Sequence, residues 1–123
     1  MQLLKNPDFA AVALTALPFA PAIATRLCPP PYDGKRVGCR FLWRNRTRDD
    51  RELGSASLHL GTAAWADFAC ADDPHARGHG LISWCSYLYK VTPETAERWL
   101  GGMLGLCQRD PAAPPEFRPL TAE

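Results

Sequence analysis

The 123-residue sequence contains no CxxC pair: its five cysteines, Cys28, Cys39, Cys70, Cys85 and Cys107, are odd in number and widely separated. This spacing excludes a complete disulfide framework and the knuckles of a zinc ribbon, and it fits reduced thiols in a cytoplasm. An excess of one charge is also missing. With 14 Lys and Arg against 13 Asp and Glu the net charge is +1, which excludes a uniformly basic, histone-like chain. No uninterrupted apolar run reaches the roughly 18 residues that a membrane span requires. The apolar stretch from Phe9 to Ile23 does not read as a signal peptide, because Asp8 precedes it, Pro18 and Pro21 interrupt it, and Lys5 is the lone cation before it. No Ser/His/Asp, Cys/His or phosphate-loop pattern occurs at a useful spacing, so neither an enzyme nor a cofactor is expected.

What is present is apolar area. The chain is 46% hydrophobic and carries four Trp and five Phe, enough for the core of one domain and too little for two. Charge, near zero in total, is unevenly placed. Between Lys35 and Arg51, seven cations (Lys35, Arg36, Arg40, Arg44, Arg46, Arg48 and Arg51) face only Asp49 and Asp50, for a local net charge of +5. Several arginines in one segment suit phosphate contacts, and Phe41, Trp43 and Tyr32 lie close enough in sequence to offer rings to unstacked bases. The competing explanation is a solvated arginine-rich loop, partly neutralised by Asp49, Asp50 and Glu52.

Periodicity supplies the elements. Asn6-Pro7-Asp8 reads as a helix start, with Asn6 as the cap and Phe9, Val12, Ala13, Ala16 and Leu17 on one face. Pro18 and Pro21 end that helix and open a short second one with Ile23 and Leu27 inward, closed by Cys28 and Pro29-Pro30-Pro31. From Arg36 to Trp43 the period falls to 2, giving a strand with Val37, Cys39, Phe41 and Trp43 inward. Ala56 to Leu60 forms a second strand, and Ala64 to Phe68, after the Gly61-Thr62 turn, a third. Leu81, Ile82, Trp84, Cys85, Leu88 and Tyr89 trace the buried stripe of a helix beginning after Gly80. Thr92-Pro93-Glu94 opens a last helix with Ala96, Trp99, Leu100, Met103 and Leu104 inward and Gly105 as its stop; this helix is expected nearer the edge of the core. The fold expected is α+β, a three-stranded antiparallel sheet covered by N- and C-terminal helices. Residues 1–107 make the domain, and 108–123, rich in Pro, form an extended or mobile tail.

Four segments, in order, resemble the N-terminal zinc-ribbon-related domain of plasmid and phage primases and primase-helicases. Trp43-Arg44-Asn45-Arg46-Thr47-Arg48-Asp49-Asp50 is similar to the family's W-x-x-N-P-T-R-x-D. Gly54-Ser55-Ala56-Ser57-Leu58-His59-Leu60 is similar to G-S-F-S-V-N-L, and Trp65-Ala66-Asp67-Phe68-Ala69 matches W-A-D-F-A. Gly78 to Ser83, GHGLIS, is close to G-G-D-L-I-S. The resemblance covers about half of the chain and marks Trp65, Asp67, Phe68, Gly78 and Gly80 as structural positions. The family's metal-binding cysteines are missing, Gly80 stands where a helix-capping Asp is usual, and the loop from Cys70 to Arg77 is longer.

The resemblance implies a non-catalytic accessory module of a plasmid, phage or integrated mobile element. Such a module engages single-stranded DNA or the helicase, polymerase or primase proteins of a replication complex. The alternative is an interaction or inhibitor protein that turns the same basic loop toward an acidic protein surface. Cys70, His75, His79 and Cys85 are the residues available for a mixed Cys/His metal site, but Cys85 falls on a buried helical stripe, so no metal is expected. Asp67 is expected to accept from backbone N–H groups or from Arg48, while Asp72 and Asp73 suit a turn before Pro74.

Overall fold

Asp8 starts the first helix. Its Oδ1 accepts from the Ala10 N–H at 2.8 Å, so the cap is Asp8 and α1 spans Phe9–Ala16. The expected cap, Asn6, lies outside the residues described by this computed structural model, which are 8–44, 53, 56–68 and 73–120. Pro18 and Pro21, which lack N–H groups, break the apolar stretch into α1, a 3-10 turn at Leu17–Phe19, and α2 at Ala20–Leu27. Phe9–Leu27, with a mean hydropathy of 1.5, is long and apolar enough to cross a membrane by length and composition alone. Here Val12, Ala16, Ala20, Ile23, Ala24 and Leu27 are buried against the rest of the chain.

Among the described residues the sheet has five antiparallel strands where three were expected: β1 Gly34–Val37, β2 Arg40–Trp43, β3 Ala56–His59, β4 Ala64–Asp67 and β5 Arg77–His79. The single strand expected over Arg36 to Trp43 is a hairpin. Gly38, at φ +62°, takes the left-handed conformation that reverses the chain, so Val37 and Cys39 are exposed while Phe41 and Trp43 stay inward. A two-residue reversal resets the alternation, which period counting cannot detect. β5 was expected to be loop. It pairs with β4 through Trp65↔Gly78, and a Cβ on Gly78 would meet Cζ2 of Trp65 at 2.9 Å. Glycine is the residue that lets β5 lie under the indole.

The helices cover one face. Gly80, at φ +103°, leads into α3 (Leu81–Tyr89), and Thr92 Oγ1 accepts from the Thr95 N–H at 3.2 Å to cap α4 (Pro93–Met103). Trp84 and Tyr87 of α3 meet Trp43 of the sheet edge to face, with centroids 5.9 and 6.0 Å apart; Trp65 stands edge to face with Trp43 at 6.4 Å, and Tyr87 lies tilted against Trp65 at 5.0 Å. Each such pair adds about 0.5–1.5 kcal/mol to the apolar area it buries. The exposed Arg98–Asp110 ion pair, at 3.7 Å, contributes about 0–1 kcal/mol, so aromatic packing dominates.

Residues 108–120, the described part of the expected tail, are not loose. Phe117, in a 3-10 turn at Pro115–Phe117, is fully buried, with its ring 5.1 Å from that of Tyr89 and 5.3 Å from that of Trp99. Arg109 donates to the carbonyls of Ala113 and Pro114 at 3.3 Å and ties the turn down. One aromatic residue anchors a stretch that has no periodic pattern. Trp99 is consequently enclosed and does not lie at an edge.

Candidate nucleic-acid interface

The pairing register sorts the sheet into two faces. Inward lie Gly34, Trp43, Ala56 and Asp67 in one row and Phe41, Leu58, Trp65 and Gly78 in the next. Outward lie the rows Lys35–Leu42–Ser57–Ala66–Arg77 and Val37–Arg40–His59–Ala64–His79. Three permanent cations and two histidines therefore share the open face, and neither row contains a carboxylate. Asp33 stands one register further on, where its carbonyl accepts from the Arg44 N–H at 2.9 Å.

The basic residues singled out in the sequence divide accordingly. Lys35, Arg36 and Arg40 are exposed. Arg36 falls on the inward parity at the sheet edge, and its Nε donates to the Gly38 carbonyl at 3.1 Å, bracing the hairpin turn. Arg44 is half-buried at the end of β2. Arg46, Arg48 and Arg51 lie outside the described residues, as does Cys70. Trp43 is fully buried in the aromatic cluster, so it presents no ring to a base. Its inward position follows from the same hairpin that turns Arg40 outward. Tyr32, 75% exposed just before β1, and Phe68, 58% exposed just after β4, flank the end of the sheet where β1 starts and β4 finishes. Phe68 thus departs from its expected structural role: β4 ends at Asp67 and releases the next residue to solvent.

The remaining motif residues hold the sheet to α3. Trp65 is 5% exposed, and its Nε1 donates to Ser83 Oγ at 2.9 Å. Asp67 is buried and accepts at Oδ2 from the Tyr87 hydroxyl at 2.9 Å. Both contacts join β4 to the first two turns of α3.

For metal chemistry the geometry is unfavourable. His79 sits on the exposed β5 edge and His75 in the exposed turn before it, whereas Cys85 is fully buried in α3. Burial, then the neighbouring Cys28, pushes the Cys85 thiol far above its ordinary range and disfavours the thiolate a metal would need. Among the described residues no group of three or more His, Cys, Asp or Glu side chains is placed to hold an ion.

Two features of the open face were not legible beforehand. Arg77 and His79 join it because the segment before Gly80 is a strand, and His59 lies there as a turn brace: its Nδ1 accepts from the N–H groups of Gly61 and Thr62, both at 3.1 Å. A search of family models, curated proteins and solved structures finds no match to this chain.

Proposed function

We propose that the protein is a non-catalytic nucleic-acid-binding module that lays a single strand across the open face of its sheet. The observation that carries this reading is the composition of the two outward rows, in which Lys35, Arg40 and Arg77 stand with His59 and His79 and no carboxylate intervenes. Phosphates are the partners such a face suits, since cations spread over neighbouring strands can neutralise successive backbone charges. Tyr32 and Phe68 supply exposed rings at one end of that path, where bases leaving the sheet can stack. The sequence resemblance to primase N-terminal domains supports the same class of ligand and the reading of an accessory module in the replication of a plasmid, phage or integrated element.

Fluorescence anisotropy with labelled oligonucleotides, repeated over a range of salt, tests the reading. Affinity that falls linearly in log–log form with salt is the expected result. A protein-binding inhibitor of an acidic surface would bind no oligonucleotide at any ionic strength, and that outcome would overturn the proposal.

A further inference from the structure

The middle of the open face is a depression. Its floor is small, formed by Ser57, Ala64 and Ala66, while Arg40, His59 and Thr62 stand around it and enclose a cavity of about 220 Å³ open to solvent. The polar side chains there can all donate, although Thr62 Oγ1 also accepts from the Ala64 N–H at 3.3 Å. His59 accepts two backbone N–H bonds at Nδ1, which leaves the ring proton on Nε2, the nitrogen turned away from the Gly61-Thr62 turn. Ser57 is 7% exposed, so it is a polar side chain more than nine-tenths buried, and the register points it outward into this depression. Among the described residues, neither the Ser57 hydroxyl nor the Arg40 guanidinium has a hydrogen-bond or ion-pair partner.

A sheltered hydroxyl and an imidazole N–H beside an unpaired guanidinium, with no carboxylate lining the depression among the described residues, suit a compact oxyanion. A cation would find no negative ligand among the described residues, and a purely apolar ligand would strand the hydroxyl. We infer that the depression seats one phosphoryl group, held by Arg40 as the charged fork, Ser57 Oγ and His59 Nε2. The seat deepens the nucleic-acid reading and rests on it for the source of the group, which is either a bridging phosphodiester or a strand's terminal phosphate.

The test titrates the full ¹⁵N-labelled chain with inorganic phosphate and follows the amides of Arg40, Ser57 and Ala66 and the His59 ring nitrogens by NMR. Saturable shifts confined to these residues are expected, with affinity reduced about tenfold or more in both Ser57→Ala and Arg40→Gln. Neither substitution empties the core, and unchanged amide dispersion confirms folding. Oligonucleotides with 5′-hydroxyl and 5′-phosphate ends then identify the source: an advantage of about tenfold for the phosphorylated end assigns the seat to strand termini, and equal affinity assigns it to bridging phosphates. If phosphate produces no saturable shift at these residues, or if both variants bind it as tightly as the parent, the seat does not exist, even where oligonucleotides bind. Phosphate binding without oligonucleotide binding leaves the seat standing and removes the nucleic-acid reading.

Discussion

The hydroxyl of Tyr87 donates to Oδ2 of Asp67 at 2.9 Å, joining the middle of α3 to the last residue of β4 beneath the aromatic cluster. Asp67 is only 1% exposed. A carboxylate at that depth depends on its donors, because leaving a buried charge under-bonded costs more than the bond itself contributes. Tyr87→Phe keeps the ring packing against Trp43 and Trp65 and removes only the donor. It is expected to lower stability by about 1.5–3 kcal/mol, read as a reduced urea midpoint at constant m-value. An unchanged midpoint would show that Asp67 does not rely on Tyr87.

Trp65 is the second bond between the same elements. Trp65→Ala empties a buried aromatic site and removes one donor to Ser83, whose hydroxyl keeps its bonds to the carbonyls of His79 and Gly80, for an expected loss of about 3–5 kcal/mol. Because Trp99 is enclosed by Tyr89 and Phe117, Trp99→Ala belongs in the same range. Gly78→Ala should cost about 1–3 kcal/mol by pressing its methyl on the Trp65 ring, 2.9 Å away. Thermal melts of the three variants check the order, and a Gly78→Ala protein as stable as the parent would mean that the indole moves aside freely.

Glu97 is buried in α4, and among the described residues its Oε2 has no hydrogen-bond partner. Burial first, then the carboxylates of Asp8 and Glu94, push its carboxyl above the ordinary range, against a smaller lowering by Arg98. The folded protein therefore holds this proton more tightly than the unfolded chain does. Its contribution to stability is complete below the ordinary glutamate range and is lost as pH rises through the raised value. Glu97→Gln should be more stable than the parent at pH 7, with the difference closing toward pH 4 in chemical denaturation. A difference independent of pH would assign the effect to packing.

Two basic surfaces can be told apart by their salt dependence. Replacing Lys35, Arg40 and Arg77 with Gln should flatten the slope of log affinity against log salt by about 2, since each single-strand phosphate contact contributes about 0.7. Replacing Arg44, Arg46 and Arg48 with Ala should change the slope less if the sheet face is the main path. The reverse ranking, measured by anisotropy, would move the interface to the connection between β2 and β3.

Helices were the part of this fold most open to sequence reasoning. The stripe from Leu81 to Tyr89, the Thr92-Pro93-Glu94 opening and the proline break after Ala16 are signals carried within a few residues, and each appears in the structure. The sheet was legible only in part, because Gly38 reverses the chain inside what reads as continuous alternation, and β5 is a three-residue strand whose pairing is set by contact with Trp65. The candidate site suffered most. Trp43 lies beside arginines in sequence, yet neighbouring positions on a strand point to opposite faces. Ser57 and His59 carry no ligand signal in the sequence, because their partners on the open face come from other strands.

Phe117 changes how the end of the chain should be regarded. Tyr89 and Trp99 are laid down in sequence well before the ring that closes over them, so during synthesis this aromatic pair stays uncovered until Phe117 emerges. The segment after Cys107 then acts as a plug, and its docking removes a sticky surface. A chain truncated after Cys107 should fold with its sheet intact, bind a hydrophobic dye strongly and aggregate at concentrations where the full chain stays clear. Equal dye binding by the two chains would show that the plug is dispensable.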